Sequence, residues 1–451
     1  MRGQNSIQLL TEGSVRQRLL KYAAPIFIGN LFQQLYNTAD SLIVGNFVGQ
    51  SALAAVSSVS SLLNLFIGFF MGFSAGATVI IAHAIGADDR EKTVKAVHTA
   101  FALGLILSVI LTVLGVYLSP WMLTVMGTPE DVYPLAVLYT RIYFGGSAAL
   151  VMYNMLVGIL QAGGDSRHPL YYLIASSCVN IVFDLLLVSV FHMGVAGAAI
   201  ATVCSEALSM VLCLIRLLKD DSAIGLHLKQ TALTPPLLKQ ILRFGIPTGL
   251  QSSIIDISNV MIQSYINSFG TAAAAGIGAY TKVEGFMFLP VTAFSIALTT
   301  FISQNEGAGR KDRVRESVRF GINTCVLMVE TIGLIIFLFA PSLVRMFNSD
   351  PEVIHYGVMR ARTCAFFYAL LAFSHIVSAI CRGEQEPVMP MAVMLICWCA
   401  VRVIILMTVG QVVHDIRLAN WLYPFTWSIS TVVFSIWLKK RNLYSFRKEN
   451  A

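Results

Sequence analysis

The sequence predicts an all-α integral membrane protein of about twelve transmembrane helices, arranged as two six-helix bundles. Three observations carry this. Apolar residues make up 56% of the 451 and charged residues only 12%, about half the charged share of a soluble domain. No Asp, Glu, Lys or Arg occurs from Ser41 to Ala87, a stretch longer than the roughly 20 apolar residues that span a bilayer. The chain also repeats itself. Residues 19–25 read LLKYAAP and residues 241–247 read ILRFGIP; residues 85–97 read IGADDREKTVKAV and residues 308–320 read AGRKDRVRESVRF. Residues 158–169, GILQAGGDSRHP, find a weaker echo at 379–387, AICRGEQEP. Such symmetry in a membrane chain points to a transporter made of two halves.

Taken in order, the apolar stretches fall at about 18–42, 52–84, 96–118, 132–160, 168–190 and 194–218 in the first half. In the second they fall at about 240–267, 275–304, 316–340, 353–381, 388–410 and 417–438. A polar segment, 219–239, separates the halves and contains Pro235–Pro236, a breaker and extended spacer. The expected domains are therefore an N-terminal lobe 1–218, a cytoplasmic linker 219–239, a C-terminal lobe 240–438 and a basic tail 439–451. Six is even, so both halves enter the membrane in the same direction, as parallel repeats related by an axis along the membrane normal.

The net charge of +7 does not indicate nucleic acid. With a cytoplasmic N-terminus, about 24 of the 31 Lys and Arg fall in cytoplasmic segments, the positive-inside bias. This orients the chain as a multi-pass protein of the inner (plasma) membrane with both termini cytoplasmic. The eight cysteines fall mostly within spans and form no CxxC pair, which reads as buried, reduced thiols. Residues 1–18 lack the apolar core and cleavage site of a signal peptide.

The motifs of enzymes are absent or misplaced. Gly72-Phe-Ser74-Ala-Gly76 matches a hydrolase pattern, but that pattern needs a strand-to-helix elbow and this one lies inside an apolar helix. Gly68, Gly72 and Gly76 instead form a stripe of small residues that lets helices approach closely. There is no HExxH, His-Cys cluster or triad, so no catalytic residue is assigned.

Polar residues inside spans mark functional sites by default, because they are costly in lipid. The first span carries Asn30, Gln34, Asn37 and Ser41 on one helical face, with Gln33 and Asp40 extending it. The seventh carries Ser252, Asp256, Asn259 and Gln263 at the same spacing. A shift of 222 residues maps one stripe onto the other, which suggests a cavity lined by Gln34, Asn37, Asp256, Asn259 and Gln263, with Lys282 and Glu284 nearby. In the fifth span Asn180 and Asp184 share a face, as do Thr202 and Glu206 in the sixth. At about 1.5 Å per residue, Asp40, Asp184 and Thr202 lie roughly 5–12 Å from the outer boundary. Two carboxylates with an amide and a hydroxyl offer hard oxygen ligands to a small cation, or a proton site. In the second half, ion pairing with Lys282 and Arg402 is the cheaper state for Asp256, Glu284 and Glu330.

On the Pro25 and Pro247 motifs, the YNTADSLIVG run ending at Gly45, the LPVTAFSIALTTFISQNEGAGR run ending at Arg310 and the QAGGDSRHP turn, the chain resembles the multidrug and toxic compound extrusion (MATE) family, bacterial type. The resemblance covers nearly the whole chain. It implies two six-helix bundles forming a V around a central cavity. It also implies a non-enzymatic antiporter that exports organic cations and amphiphilic drugs by alternating access, driven by H⁺ or Na⁺. The family's cation site maps onto Asp40, Asn180, Asp184 and Thr202; a Na⁺ would sit at Asp40, Asn180 and Asp184, and no resident metal or cofactor is implied. Pro25, and by repetition Pro247, stand where the first helix of each lobe bends. The tenth span reads Phe366-Phe367-Tyr368-Ala369-Leu370, without the acid some members place there. The expected partners are small-molecule drugs and membrane lipids, not nucleic acid, and the expected state is a monomer. The competing reading is a lipid-linked oligosaccharide or lipid II flippase of the same superfamily; the span count and sparse cavity Lys and Arg count against it.

Overall fold

The structure, a computed structural model, describes residues 9–47, 50–126, 128, 130 and 132–444; the side chains of 37, 39–58 and 60–62 lie outside the described set. Among the described residues the chain is helical and contains no strand. In the first half the helices are α1 (Val15–Phe47), α2 (Gln50–Gly86), α3 (Arg90–Val125), α4 (Tyr133–Gly145), α5 (Ser147–Ala162), α6 (Arg167–Asp184) and α7 (Gly194–Leu218). In the second they are α8 (Pro235–Asn267), α9 (Thr271–Gly307), α10 (Lys311–Arg345), α11 (Pro351–Ala365), α12 (Tyr368–Gly383), α13 (Val388–Val393), α14 (Val401–Val412) and α15 (Ile416–Lys440).

Seven described helical stretches are long and apolar enough to cross a membrane, and the bent pairs α4–α5 and α11–α12 bring the number to nine. Helices α1 and α8, of 33 residues each, and α15, of 25, also reach the roughly 30 Å of a hydrocarbon core at about 1.5 Å per residue. That makes twelve crossings, and each coincides with an expected span.

The repeat extends to irregularities that composition does not reveal. The fourth span breaks by 46° between α4 and α5, and the tenth by 60° between α11 and α12. The fifth span continues from α6 into a π-helical segment, Leu185–Val190, and the eleventh carries another, Met394–Ala400, between α13 and α14. Wide turns of this kind loosen the backbone ladder and frequently mark functional sites.

Several polar residues set the helix ends. Asp89, Asp350 and Asp415 accept hydrogen bonds from first-turn N–H groups of α3, α11 and α15, satisfying donors that a helix start leaves free. Asp165 of the QAGGDSRHP turn does this for α6, accepting from the N–H groups of Arg167 and His168, and it also binds His168 Nδ1 at 2.5 Å. Gly164 precedes it with φ +82°, a left-handed conformation that glycine adopts without a Cβ clash. Glu330 of α10 caps a helix other than its own: its Oε2 accepts from Ala369 N–H at 3.0 Å, at the start of α12. The contact is a helix cap and not the ion pair with Lys282 or Arg402 that the sequence suggested.

The chain divides into two compact units. Within the described residues, one is built on Ala24–Gly249 and the other on Leu10–Ala23 with the chain from Leu250 onward. Helix α1 therefore changes unit next to Pro25, and α8 changes two residues after Pro247. In the first unit α5 packs against α2, α3 and α7, and α6 packs on α7. The segment between α7 and α8 is anchored there too. Ile224 and Leu226 are buried, and His227 N–H donates to His98 Nε2 at 3.1 Å. Glycines 72 and 76 of α2 face glycines 245 and 249 of α8 at backbone contact, the close approach expected of the small-residue stripe. In the second unit α9 packs against α10, α11 and α12, and α12 against α15.

Candidate functional site

A fully buried amide–carboxylate pair of the first unit is on α6. Asn180 and Asp184 are both 0% exposed. They stand one turn apart, so they share a face, and Asp184 ends the α-helix where the π-helical segment begins. Asn180 Nδ2 and Oδ1 have no hydrogen-bond partner among the described residues. A buried primary amide left this way gives up about 1–3 kcal/mol per unsatisfied group, which is uncommon unless water or an ion completes the site.

The facing helix is α7. Thr202, at 5% exposure, donates to Ala198 C=O at 3.1 Å, which leaves its oxygen lone pairs available. One turn on, Glu206 accepts from Tyr143 O–H at 3.4 Å through Oε1, while its Oε2 is buried without a partner among the described residues. Its role was open in the sequence; the structure adds it, with Tyr143, to the polar interior of this unit. The side chains of Asn37 and Asp40 lie outside the described residues. Gln34 is on α1 and half-buried. No group of three or more His, Cys, Asp or Glu side chains is gathered as a metal site among the described residues. An oxygen site here would draw on amide and hydroxyl as well as carboxylate, a donor set suited to a hard monovalent cation or a proton.

The second unit is arranged differently. On α8, Asp256 is half-buried, Asn259 is exposed and accepts from Tyr423 O–H at 3.3 Å, and Gln263 donates to Asn267 at 2.9 Å. On α9, Lys282 forms no ion pair among the described residues; its Nζ lies 5.6 Å from the Phe347 ring centroid. Glu284 accepts from Tyr280 O–H at 2.9 Å, and Tyr280 O–H also hydrogen-bonds Tyr368 O–H. The expected neutralisation of acids by Lys282 and Arg402 is therefore not a set of direct pairs.

Arg402 is 1% exposed, donates from Nε to Thr426 Oγ1 at 3.0 Å, and stacks on Tyr423 and Trp398. Arg360, which sequence reasoning passed over, is 3% exposed and lies 3.8 Å from the Tyr423 ring centroid. The signal was present: an Arg within an expected span is itself a site hypothesis.

Residues 25–186 and 247–408 each match the MatE family domain, together well over half of the chain. The chain belongs to the MatE family. The two matches begin at Pro25 and Pro247, so the duplication read from short motifs is a duplication of the whole family domain. Among curated relatives, this MatE chain is 28% identical over 439 residues to "Probable multidrug resistance protein YpnP" of Bacillus subtilis, covering 96% of this chain and 91% of that one. It is 28% identical over 390 residues to "Probable multidrug resistance protein NorM" of Thermotoga maritima, covering 85% and 83%. Its fold matches that of a MOP superfamily transporter from Pyrococcus furiosus with a TM-score of 0.90 at 23% identity, covering 98% of both chains. The binding pocket of that transporter is described as reversed in polarity. The family and the apolar helices together make this a multi-pass membrane protein.

Proposed function

We propose that this MatE-family chain is a multidrug efflux antiporter, exporting organic cations and amphiphilic drugs by alternating access in exchange for H⁺ or Na⁺. The single observation that carries the coupling is the buried pair on α6: Asp184 with Asn180, whose amide has no partner among the described residues. Asp40 on α1 and Thr202 on α7 complete the set assigned to the cation. Gln34 and Asn37 on α1, Asp256, Asn259 and Gln263 on α8, and Lys282 and Glu284 on α9 are assigned to drug recognition.

The proposed cycle is electrostatic. Cation uptake neutralises the Asp40 and Asp184 carboxylates, and α1 repacks, bending at Pro25 as α8 does at Pro247. Drug affinity falls as cation affinity is satisfied, and linkage requires the reverse: bound drug must disfavour the cation. Both proline positions lie within two residues of the places where α1 and α8 pass from one compact unit to the other, which supports them as the flexing points. The protein is assigned to the plasma membrane with both termini cytoplasmic, as a monomer.

The test is ethidium export from proteoliposomes under separately imposed proton and sodium gradients. One of the two gradients should accelerate export, and Asp40→Asn should abolish that acceleration. Export indifferent to both gradients, or unchanged in Asp40→Asn, overturns the coupling.

A further inference from the structure

Four buried donor atoms in the second unit have no acceptor among the described residues: Arg360 Nε, Arg402 Nη2, Asn420 Nδ2 and Trp427 Nε1. All four side chains are at least 97% buried, and they belong to one neighbourhood. Arg360 donates from Nη1 to Ala419 C=O at 3.0 Å and Asn420 Oδ1 at 3.3 Å. Both guanidinium groups approach the Tyr423 ring, with Cζ 3.8 Å from its centroid for Arg360 and 4.3 Å for Arg402. The Trp427 ring lies 5.8 Å from that of Tyr423. Three helices converge here: α11 brings Arg360, α14 brings Arg402, and α15 brings Asn420, Tyr423 and Trp427.

The charge is unbalanced. Neither guanidinium forms an ion pair among the described residues. Glu284 is the carboxylate whose field reaches both arginines, and it already accepts from Tyr280. Two full positive charges therefore face one negative charge, and every orphaned atom of this cluster is a donor. Buried arginines in a membrane protein are costly and normally find a partner. Guanidinium N–H forks match the geometry of carboxylate and phosphate oxygens.

We propose that the second unit holds a binding site for an anionic group, carboxylate or phosphate, received by the unpartnered donors Arg360 Nε, Arg402 Nη2, Asn420 Nδ2 and Trp427 Nε1. The rings of Trp398, Tyr423 and Trp427 favour a ligand whose anion is attached to an aromatic or apolar body. The site is separate from the cation set of the first unit. It extends the substrate class from organic cations to anions and zwitterions. The anion's source is either a soluble organic acid or a lipid headgroup phosphate.

The experiment uses the full-length protein in phosphatidylcholine nanodiscs, titrated with phenyl phosphate, benzoate and, as the cation of similar shape, benzylamine, and read by tryptophan fluorescence. The expected result is a saturable response to the two anions and none to benzylamine. Arg402→Lys and Arg360→Lys keep the charge but lose the fork, and should each weaken anion binding at least 10-fold. Thr426→Val frees the Arg402 guanidinium without removing it and should weaken binding about 3-fold or more. Repeating the titration in discs containing phosphatidylglycerol separates the sources. Abolished probe binding identifies a lipid phosphate as the occupant of the site, and retained binding identifies a soluble anion. No saturable anion response in phosphatidylcholine, or equal responses in wild type and in lysine variants that elute as monodisperse protein, overturns the proposal and leaves the arginines a structural role.

Discussion

Gly72 of α2 and Gly249 of α8 meet backbone to backbone: a Cβ added at Gly72 would stand 2.3 Å from Gly249 N and 2.7 Å from Gly245 C=O. Backbone cannot move aside as a flexible side chain can, so even one methyl group must part the helices. Overpacking of a tight contact typically costs about 1–3 kcal/mol. Gly72→Ala should therefore lower the melting temperature of the purified protein, followed by loss of monodisperse elution on heating. Gly278→Ala is the control. Nothing lies within 4 Å of a Cβ there, and alanine is favoured over glycine inside a helix by up to about 1 kcal/mol. A Gly72→Ala protein as stable as wild type would show that α2 and α8 are not held at this crossing.

Arg313 near the start of α10 fastens the beginning of the described chain. Its guanidinium donates to the carbonyls of Gly13 at 2.6 Å, Leu10 at 2.9 Å and Glu12 at 3.3 Å, and to Asn305 Oδ1 at 2.9 Å. Gln304 accepts from Leu10 N–H at 2.9 Å. Hydrogen bonds to a charged group contribute about 1.5–3 kcal/mol each in favourable cases, so this one side chain holds Leu10–Gly13 in the second unit. Arg313→Ala should speed hydrogen–deuterium exchange across residues 10–13 at least 10-fold, with little change in α12. Arg313→Lys, which supplies three donors without the planar fork, should fall between. Unchanged exchange in Arg313→Ala would place the hold elsewhere.

Stability should also respond to pH through Glu384, in the loop after α12. Burial, and then the neighbouring Glu306 carboxylate, raise its pKa from 4.5 to about 7, with Arg441 and Lys311 opposing. The fold thus prefers the protonated acid. Its contribution is fully present below about pH 4.5 and is lost as pH rises to about 7, because above the unfolded value the unfolded chain releases the proton more readily. Glu384→Gln is neutral at every pH. It should melt higher than wild type at pH 8, and the difference should vanish by pH 4.5. A gap between the two proteins that stays constant from pH 4.5 to 8 would exclude Glu384 as the titrating group.

These contacts show which parts of the molecule the sequence made legible. The twelve spans and the duplication were readable because lipid imposes a composition on every crossing helix. Asn180 and Asp184 were readable because two polar residues one turn apart are conspicuous in an apolar stretch. Arg360 carried a signal, an Arg inside an expected span, but its pairing with Tyr423 was not legible, because it comes from the convergence of α11 and α15, far apart in the chain. The π-helical segments after Asp184 and before Arg402 leave no compositional mark, since they read LLLVSV and MLICWCA, ordinary residues for a span. Arg313 stands in a run of basic residues with Arg310, Lys311 and Arg315; nothing local to it discloses that its partners are carbonyls some 300 positions away.

The repeat breaks in charge. Among the described residues, the charged side chains at most 7% exposed are Asp165, Asp184 and Asp220 in the first unit and Arg313, Arg360 and Arg402 in the second. Asp165 and Asp220 have basic neighbours, His168 and Arg216. Arg313 is absorbed by carbonyls and an amide. Asp184 of the first unit and Arg360 and Arg402 of the second each lie in a span near a π-helical segment or a broken helix. The most deeply buried charged side chains of the two copies of one domain thus differ in sign.

Asp184 and Glu206 are both buried carboxylates of the first unit. Glu206 takes a hydroxyl donor from Tyr143, while Asp184 stands beside the orphaned amide of Asn180. If Asp184 binds the driving cation, Asp184→Asn should reduce gradient-driven ethidium export at least 10-fold while leaving thermal stability within the range of a surface mutation, since removal of a buried charge relieves its desolvation. Glu206→Gln keeps the shape and the acceptor for Tyr143, and should retain most export. Asn180→Ala removes an oxygen ligand without touching charge. It should raise the cation concentration needed for half-maximal export several-fold more than it lowers the maximal rate. The opposite order, with Glu206→Gln inactive and Asp184→Asn unimpaired, would move the coupling site one helix over, to the Glu206–Tyr143 pair on α7 and α4.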